Sequence, residues 1–229
     1  MGQQQLRGIA VVDVGYTNTK IALFSPQGEL LAERKAPSLH LPAPPYKHID
    51  PEPMVALCRA ALPELAAMLP IDAIVPTAHG AAMACLDAEG NLALPVMDYT
   101  SEPPPEIVAD YEKIMPSFEE ALCPLLPMTI THGLQLYWQQ RMWPQAFAKV
   151  RTLLPWIQYV GFRLSGVPVT EISSMACQTH LLDIRADAPS STARRLGWDA
   201  LFPRRAKAWE TIGTLKQEFR GTGFRGEAR

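Results

Sequence analysis

Residues 9–13 form a short, mostly apolar run that ends on Asp13, the pattern of a strand covered on both faces. Residues 15–18 read as a turn, after which "TKIALFS" alternates as a second strand. "PQGE" turns tightly into "LLAERKA", a third strand, so the chain opens as two successive antiparallel hairpins. Residues 53–68 carry apolar positions at helical spacing, with Pro63 predicted to kink that helix or divide it in two. "DAIVPTA" is a further apolar strand, and "AMACLDAEGNLAL" a hairpin turning at Ala88-Glu89-Gly90. The remainder is predicted mostly helical, over 106–115, 134–142, 144–150 and 155–164, the last stopped by Gly166. Residues 170–184 read as a turn or short helix followed by strand-like "THLLDI". Two closing helices are expected over 190–201 and 204–215, and residues 216–229 form an irregular tail without a core-forming pattern. The fold class is α/β, a mixed sheet flanked by helices, as one domain over residues 7–215.

Composition narrows the classes. The chain has 229 residues, 48% hydrophobic and 19% charged, with a formal net charge of -2. That balance gives no electrostatic reason to expect nucleic acid or an anionic membrane as partner. The basic residues between Arg194 and Arg225 read as a solvated face. Twenty-two prolines concentrate in "APSLHLPAPPYKHIDPEP" and "SEPPPE", both expected as surface loops or insertions. Cys58, Cys85, Cys123 and Cys177 show no C-x-x-C spacing and read as buried thiols in a reducing compartment. His40, His48 and Cys58 lack metal-ligand spacing. The N-terminus has no signal-peptide layout and no long apolar run occurs, so the expected location is cytoplasmic.

The candidate chemistry begins at Asp13. An acid at the end of a buried strand is costly unless it meets a cation or hydrogen-bond donors. The loop after it, with Gly15, Thr17 and Asn18, offers backbone N–H groups and polar side chains suited to phosphate oxygens. Lys20 could reach a phosphate or pair with Asp13, and a magnesium ion held through water would join carboxylate to polyphosphate. Local physics leaves a second reading open, a plain hairpin whose turn Asp13 caps. "GTGFRG" at 221–226 matches a dinucleotide-binding pattern in letters only. No strand precedes it and three residues follow, so it is assigned to a flexible or non-native end.

The pattern Asp13-x-Gly15-x-Thr17-x-x-Lys20 resembles the first phosphate motif of the actin-like ATPase superfamily, which has a ribonuclease-H-like fold. "PTAHGAAMACLDAEGNLALPVMDY" and "LPWIQYVGFRLSGVPVTEISSMACQTHLLDI" are similar to segments of the FGGY carbohydrate kinases, and the resemblance covers residues 7–215. It implies ATP-dependent phosphorylation of a sugar hydroxyl, of a ketose by preference, with ATP and magnesium as cofactors. It places Asp13, Gly15, Thr17, Asn18 and Lys20 at the ATP phosphates, with Asp13 the indirect magnesium ligand. His79, Gly80, Ala81, Asp98, Glu171 and Ser174 would face the sugar. The family's general base belongs to a second, ATP-binding domain with a G-x-x-D-like stretch that the 229 residues do not contain, so no catalytic residue is assigned. The chain alone is expected to be inactive and to need that domain, or to act as a homo-oligomer. A catalytically inactive sugar-binding or interaction domain and an actin-like ATPase scaffold remain the alternatives.

Overall fold

The computed structural model describes residues 7–42, 44–220 and 227–228. Strands β1 (Gly8–Val14), β2 (Asn18–Phe24) and β3 (Leu30–Pro37) form two successive antiparallel pairs. Val12, Val14, Ile21 and Leu23 point into the core, whereas β3 is a sheet edge and leaves Glu33 and Lys35 exposed.

The proline-rich segment that follows is not a loop, contrary to the sequence expectation. β4 (Leu39–Leu41) and β5 (His48–Asp50) pair antiparallel, with Tyr46 and Ile49 buried. Pro42, Pro44 and Pro45 fall between the strands, where no ladder hydrogen bond is lost.

Helix α1 (Glu52–Met68) runs through Pro63 without dividing. Its buried stripe, including Val55, Leu62 and Leu65, packs with Ile21 and Leu23 of the sheet. Burial of that stripe, at about 1.5–3 kcal/mol for each large side chain, outweighs the roughly 3 kcal/mol of one internal proline. α1 leads into β6 (Ile71–Ala78), which pairs parallel with β1 and makes the sheet mixed, as the ribonuclease-H-like arrangement requires. β7 (Met83–Leu86) and β8 (Leu92–Leu94) form the expected hairpin, turning through Gly90 at φ 81°, and β9 (Val96–Met97) pairs with β5.

Helices α2 (Pro105–Glu112), α3 (Phe118–Ala121), α4 (His132–Met142) and α5 (Pro144–Phe147) precede β10 (Thr152–Pro155) and α6 (Trp156–Ser165). Gly166 ends α6 in the left-handed conformation, φ 81°. Around α2 and α4 a second apolar cluster forms, with Tyr111, Leu136, Leu153 and Trp198 buried.

β11 (Thr170–Glu171) and α7 (Ile172–Ala176) follow, and the strand expected in "THLLDI" shrinks to β12 (Leu182–Asp183), paired with β13 (Ala188–Pro189). The closing region also differs. Helix α8 (Ser191–Leu196) stops at Gly197, φ 74°, and only a 3-10 turn at Asp199–Leu201 continues it. The helix expected over 204–215 is absent. β14 (Arg205–Ala206) and β15 (Gly213–Thr214) stand there, because Ala206 and Leu215 are the segment's only fully buried side chains and make no helical stripe.

The segment from Lys216 begins with ordered structure: a 3-10 turn buries Phe219 in the core beside α1. β16 (Glu227–Ala228) pairs parallel with β6. The "GTGFRG" stretch lies outside the described residues. Cys177 is exposed rather than buried, and Cys58 and Cys85 are buried thiols that desolvation pushes up to about 12. No helix among the described residues is long and apolar enough to cross a membrane.

Candidate functional site

β1 and β6 are parallel neighbours that end at the same level. Val14 stands opposite Ala78, and the His79 backbone N–H donates to the Val14 carbonyl at 3.3 Å. The 15–18 turn and the 79–81 loop therefore leave the sheet side by side, at the strand ends where α/β sheets bind ligands. Asp13 stands opposite Lys20 on one neighbour and Thr77 on the other, so the three side chains share one sheet face. Asp13 is half-buried and the other two are exposed. The Gly15 N–H donates to the Asn18 carbonyl at 3.0 Å and closes the turn. Ser38 pins it from below, with its N–H on the Thr17 carbonyl at 3.0 Å and its hydroxyl on the Gly15 carbonyl at 2.8 Å. Thr17 is exposed and Asn18 half-exposed, so the loop presents polar groups outward on a fixed backbone.

No group of three His, Cys, Asp or Glu side chains able to hold a metal occurs among the described residues. Asp13 is thus a single carboxylate beside a polar loop. That donor set fits magnesium, which keeps most of its waters and takes one or two carboxylates plus phosphate oxygens.

The residues expected on the sugar side divide into two places. Asp98 is fully buried behind the loops, where its carboxylate accepts from five donors. The Thr100 N–H and hydroxyl donate to one oxygen, each at 2.8 Å. His40 Nδ1 at 2.7 Å, the Tyr16 hydroxyl at 3.2 Å and Lys47 Nζ at 3.3 Å reach the other. Burial alone would raise the Asp98 pKa, but the Thr100 and His40 hydrogen bonds and the Lys47 charge hold it below the usual carboxylate range. His40 Nε2 lies 2.7 Å from the Tyr16 carbonyl, which can only accept. Both ring nitrogens therefore face oxygen partners, and His40 bridges the Asp98 carboxylate and the Tyr16 carbonyl. Tyr16, in the middle of the phosphate-type turn, packs its ring against His40, Tyr99 and His79, with centroids 4.1, 5.2 and 6.2 Å away.

His79 is half-buried, 5.5 Å from the Tyr99 ring and 6.3 Å from the near-parallel Trp156 ring. Desolvation, helped by the charges of His40 and His132, pushes its pKa down to about 4. Gly80 is exposed, and a Cβ there would lie 3.4 Å from Gln178 Nε2. Ala81 is buried and its carbonyl accepts from Gln135 Nε2 at 3.1 Å, which ties the loop to α4.

Glu171 and Ser174 stand apart from this cluster, lining a cleft of about 250 Å³ with Val75, Pro76, Gln158 and Gly161. Glu171 caps α7, accepting from the Ser173 and Ser174 N–H groups at 2.9 and 3.2 Å. Ser174 Oγ accepts from Gln158 Nε2 at 3.1 Å.

The residues that sequence reasoning missed are Tyr16, His40, Lys47, Tyr99 and Trp156. For His40 and Lys47 a signal existed, the period-2 "LHL" and "HID" flanking a proline-rich turn. Tyr16 and Trp156 carry no local signal, because the hydrogen-bond partners of Tyr16 lie 24 to 82 positions away and Trp156 meets His79 across 77.

The model of the FGGY family of carbohydrate kinases, N-terminal domain, matches residues 9–224. L-fuculokinase of Escherichia coli is 25% identical over 218 residues, covering 91% of this chain and 46% of the relative. A solved carbohydrate kinase from Novosphingobium aromaticivorans is 32% identical with a TM-score of 0.88, over 94% of this chain and 45% of that one. The ligand-bound xylulose kinase from Lactobacillus acidophilus, 18% identical, shares the fold at a TM-score of 0.82 over 97% of this chain and 47% of its own. The chain thus spans about half the length of the curated relatives it matches.

Proposed function

The chain belongs to the FGGY family of carbohydrate kinases, and from that premise we propose that it is the sugar-binding half of an ATP-dependent kinase acting on a sugar hydroxyl, by preference of a ketose. The observation that carries this reading is the His79 N–H to Val14 carbonyl hydrogen bond, which sets the phosphate-type turn and the substrate loop edge to edge. Phosphoryl transfer is governed by positioning and electrostatics, so two abutting loops of this kind are what it asks of this half.

In this proposal Gly15, Thr17 and Asn18 hold the ATP phosphates, Lys20 adds a point charge, and Asp13 orients the hydrated magnesium. The metal, when bound, would neutralise charge on the phosphate oxygens. His79, Gly80 and Ala81 line the sugar site, with His79 supplying a neutral side chain. Asp98 acts from behind, by holding Tyr16 and His40 in place. Glu171 caps α7 and so sets Ser174 at the flanking cleft. The general base comes from a second domain, as does the adenosine site, and these residues alone do not turn over.

A coupled ADP assay over a panel of ketoses and polyols, with Asp13→Ala as control and calorimetry for binding, tests the reading. Sugar binding without turnover is the expected result. Turnover abolished by Asp13→Ala would place a base within this half and overturn the two-domain account. Absence of binding to every sugar would sink the sugar-site assignment.

A further inference from the structure

Four buried side-chain atoms have no hydrogen-bond partner among the described residues: His79 Nδ1, His132 Nε2, Trp156 Nε1 and Gln158 Oε1. Two of them, on His79 and Trp156, belong to residues lining one small cavity of about 10 Å³, which Thr19, Ser38 and His40 also border. A buried donor or acceptor left unmatched costs about 1–3 kcal/mol, and a cavity of roughly this size holds one water when two to four polar groups face it. The His79 and Trp156 rings stack at 29° with centroids 6.3 Å from each other, and both border the cavity.

We propose that this cavity is a water site through which Trp156 sets the tautomer of His79, making Trp156 a positioning residue for the substrate loop. The inference rests on the assignment of His79 to the sugar site. The indole N–H can only donate, so it takes a lone pair of the water and leaves the water's hydrogens for acceptors. His79 Nδ1 is such an acceptor, and the ring proton then resides on Nε2. That nitrogen is the accessible edge of the ring, since only Nδ1 is buried without a partner. His79 thus offers the cleft a fixed N–H donor, aimed at a sugar oxygen lone pair, and does not act as a proton acceptor. Burial keeps the ring neutral at pH 7, in agreement with this geometry.

Long-range proton–nitrogen correlation spectra of the free, nitrogen-15-labelled protein at pH 7 test the proposal, with His79→Gln for assignment. The expected result is a neutral His79 with its proton on Nε2, and a cross-peak between the Trp156 indole proton and a long-lived water. Trp156→Phe keeps a ring against Tyr159 but removes the donor, so both tautomers should become populated. Where sugar binding is measurable, that variant should lose about fivefold in affinity, the equivalent of one net hydrogen bond. A proton on Nδ1 or a charged ring in the unaltered protein would overturn the proposal, as would an unchanged tautomer in a folded Trp156→Phe. If that variant fails to fold, the indole–water cross-peak decides alone, and its absence rejects the site. These spectra need no sugar, so failure to bind any sugar would reject the proposed function while leaving the tautomer result standing.

Discussion

Replacing Asp98 with alanine removes the one carboxylate on which the 40–47 segment, the phosphate-type turn and the 98–100 segment converge. The fully buried side chain accepts from Thr100 twice and from His40, Tyr16 and Lys47 once each. Removing one member of a buried ion pair costs about 3–5 kcal/mol, because the remaining charge is left without compensation. Here the group left facing the gap is the His40 ring, whose side chain is 15% exposed; Lys47, at 37%, relaxes into water and adds little. Asp98→Asn should cost less, about 1–3 kcal/mol. The amide oxygen still serves Thr100, and a neutral His40 can accept from the amide nitrogen while donating to the Tyr16 carbonyl. For a chain of this size, 1 kcal/mol corresponds to about 2–4 °C in Tm, so the alanine variant should melt at least about 6 °C below the unaltered protein. Calorimetric melts of the three proteins at pH 7 measure this. A loss under about 1 kcal/mol for Asp98→Ala, or a greater loss for Asn than for Ala, would refute the charge network as described.

His79 gives a pH signature. Its folded pKa of about 4 lies below the ordinary 6.5, so the unfolded chain binds more protons in that window. Stability should therefore fall as pH drops from 6.5 towards 4, by up to about 3 kcal/mol before screening, and His79→Gln should remove its share of the slope in denaturant midpoints. At the start of α4, a Cβ on Gly133 would overlap the Tyr111 hydroxyl and lie 3.1 Å from the Thr179 carbonyl. Tyr111 is buried and hydrogen-bonded to His180 at 3.2 Å, so Gly133→Ala should destabilise by about 1–3 kcal/mol in urea titrations; a neutral result would show that the ring yields freely.

What the sequence made legible was local. β1, its turn and β2 follow from an apolar run, a glycine and an alternation within seventeen residues, and the parallel β6 from an apolar strand after α1. Two misreadings have different physical causes. Proline letters masked the β4–β5 pairing, although the prolines occupy only the turn. In 204–215 a helix was expected where Thr211 and Ile212 favour extended chain, Gly213 disfavours helix and Ala206 pairs with Glu171 in a parallel bridge. The candidate site was proposed by pattern at Asp13 and His79, but the inner wall of Tyr16, His40 and Asp98 beside it is assembled across 58 and 82 positions of chain. No local period encodes that.

The hydrogen bond from His79 to Val14, with Tyr16 wedged between the loops, has an evolutionary consequence. In the proposed function two recognition tasks share one rigid body, so a substitution that retunes the 79–81 loop also shifts the turn beside it. Tyr16 belongs to the 15–18 turn by sequence and to His40, Tyr99 and His79 by contact. On that proposal, new sugar preferences are reached most readily through residues outside the wedge, such as Gln178 beside Gly80, and lineages that replace Tyr16 should replace His40 or Asp98 with it.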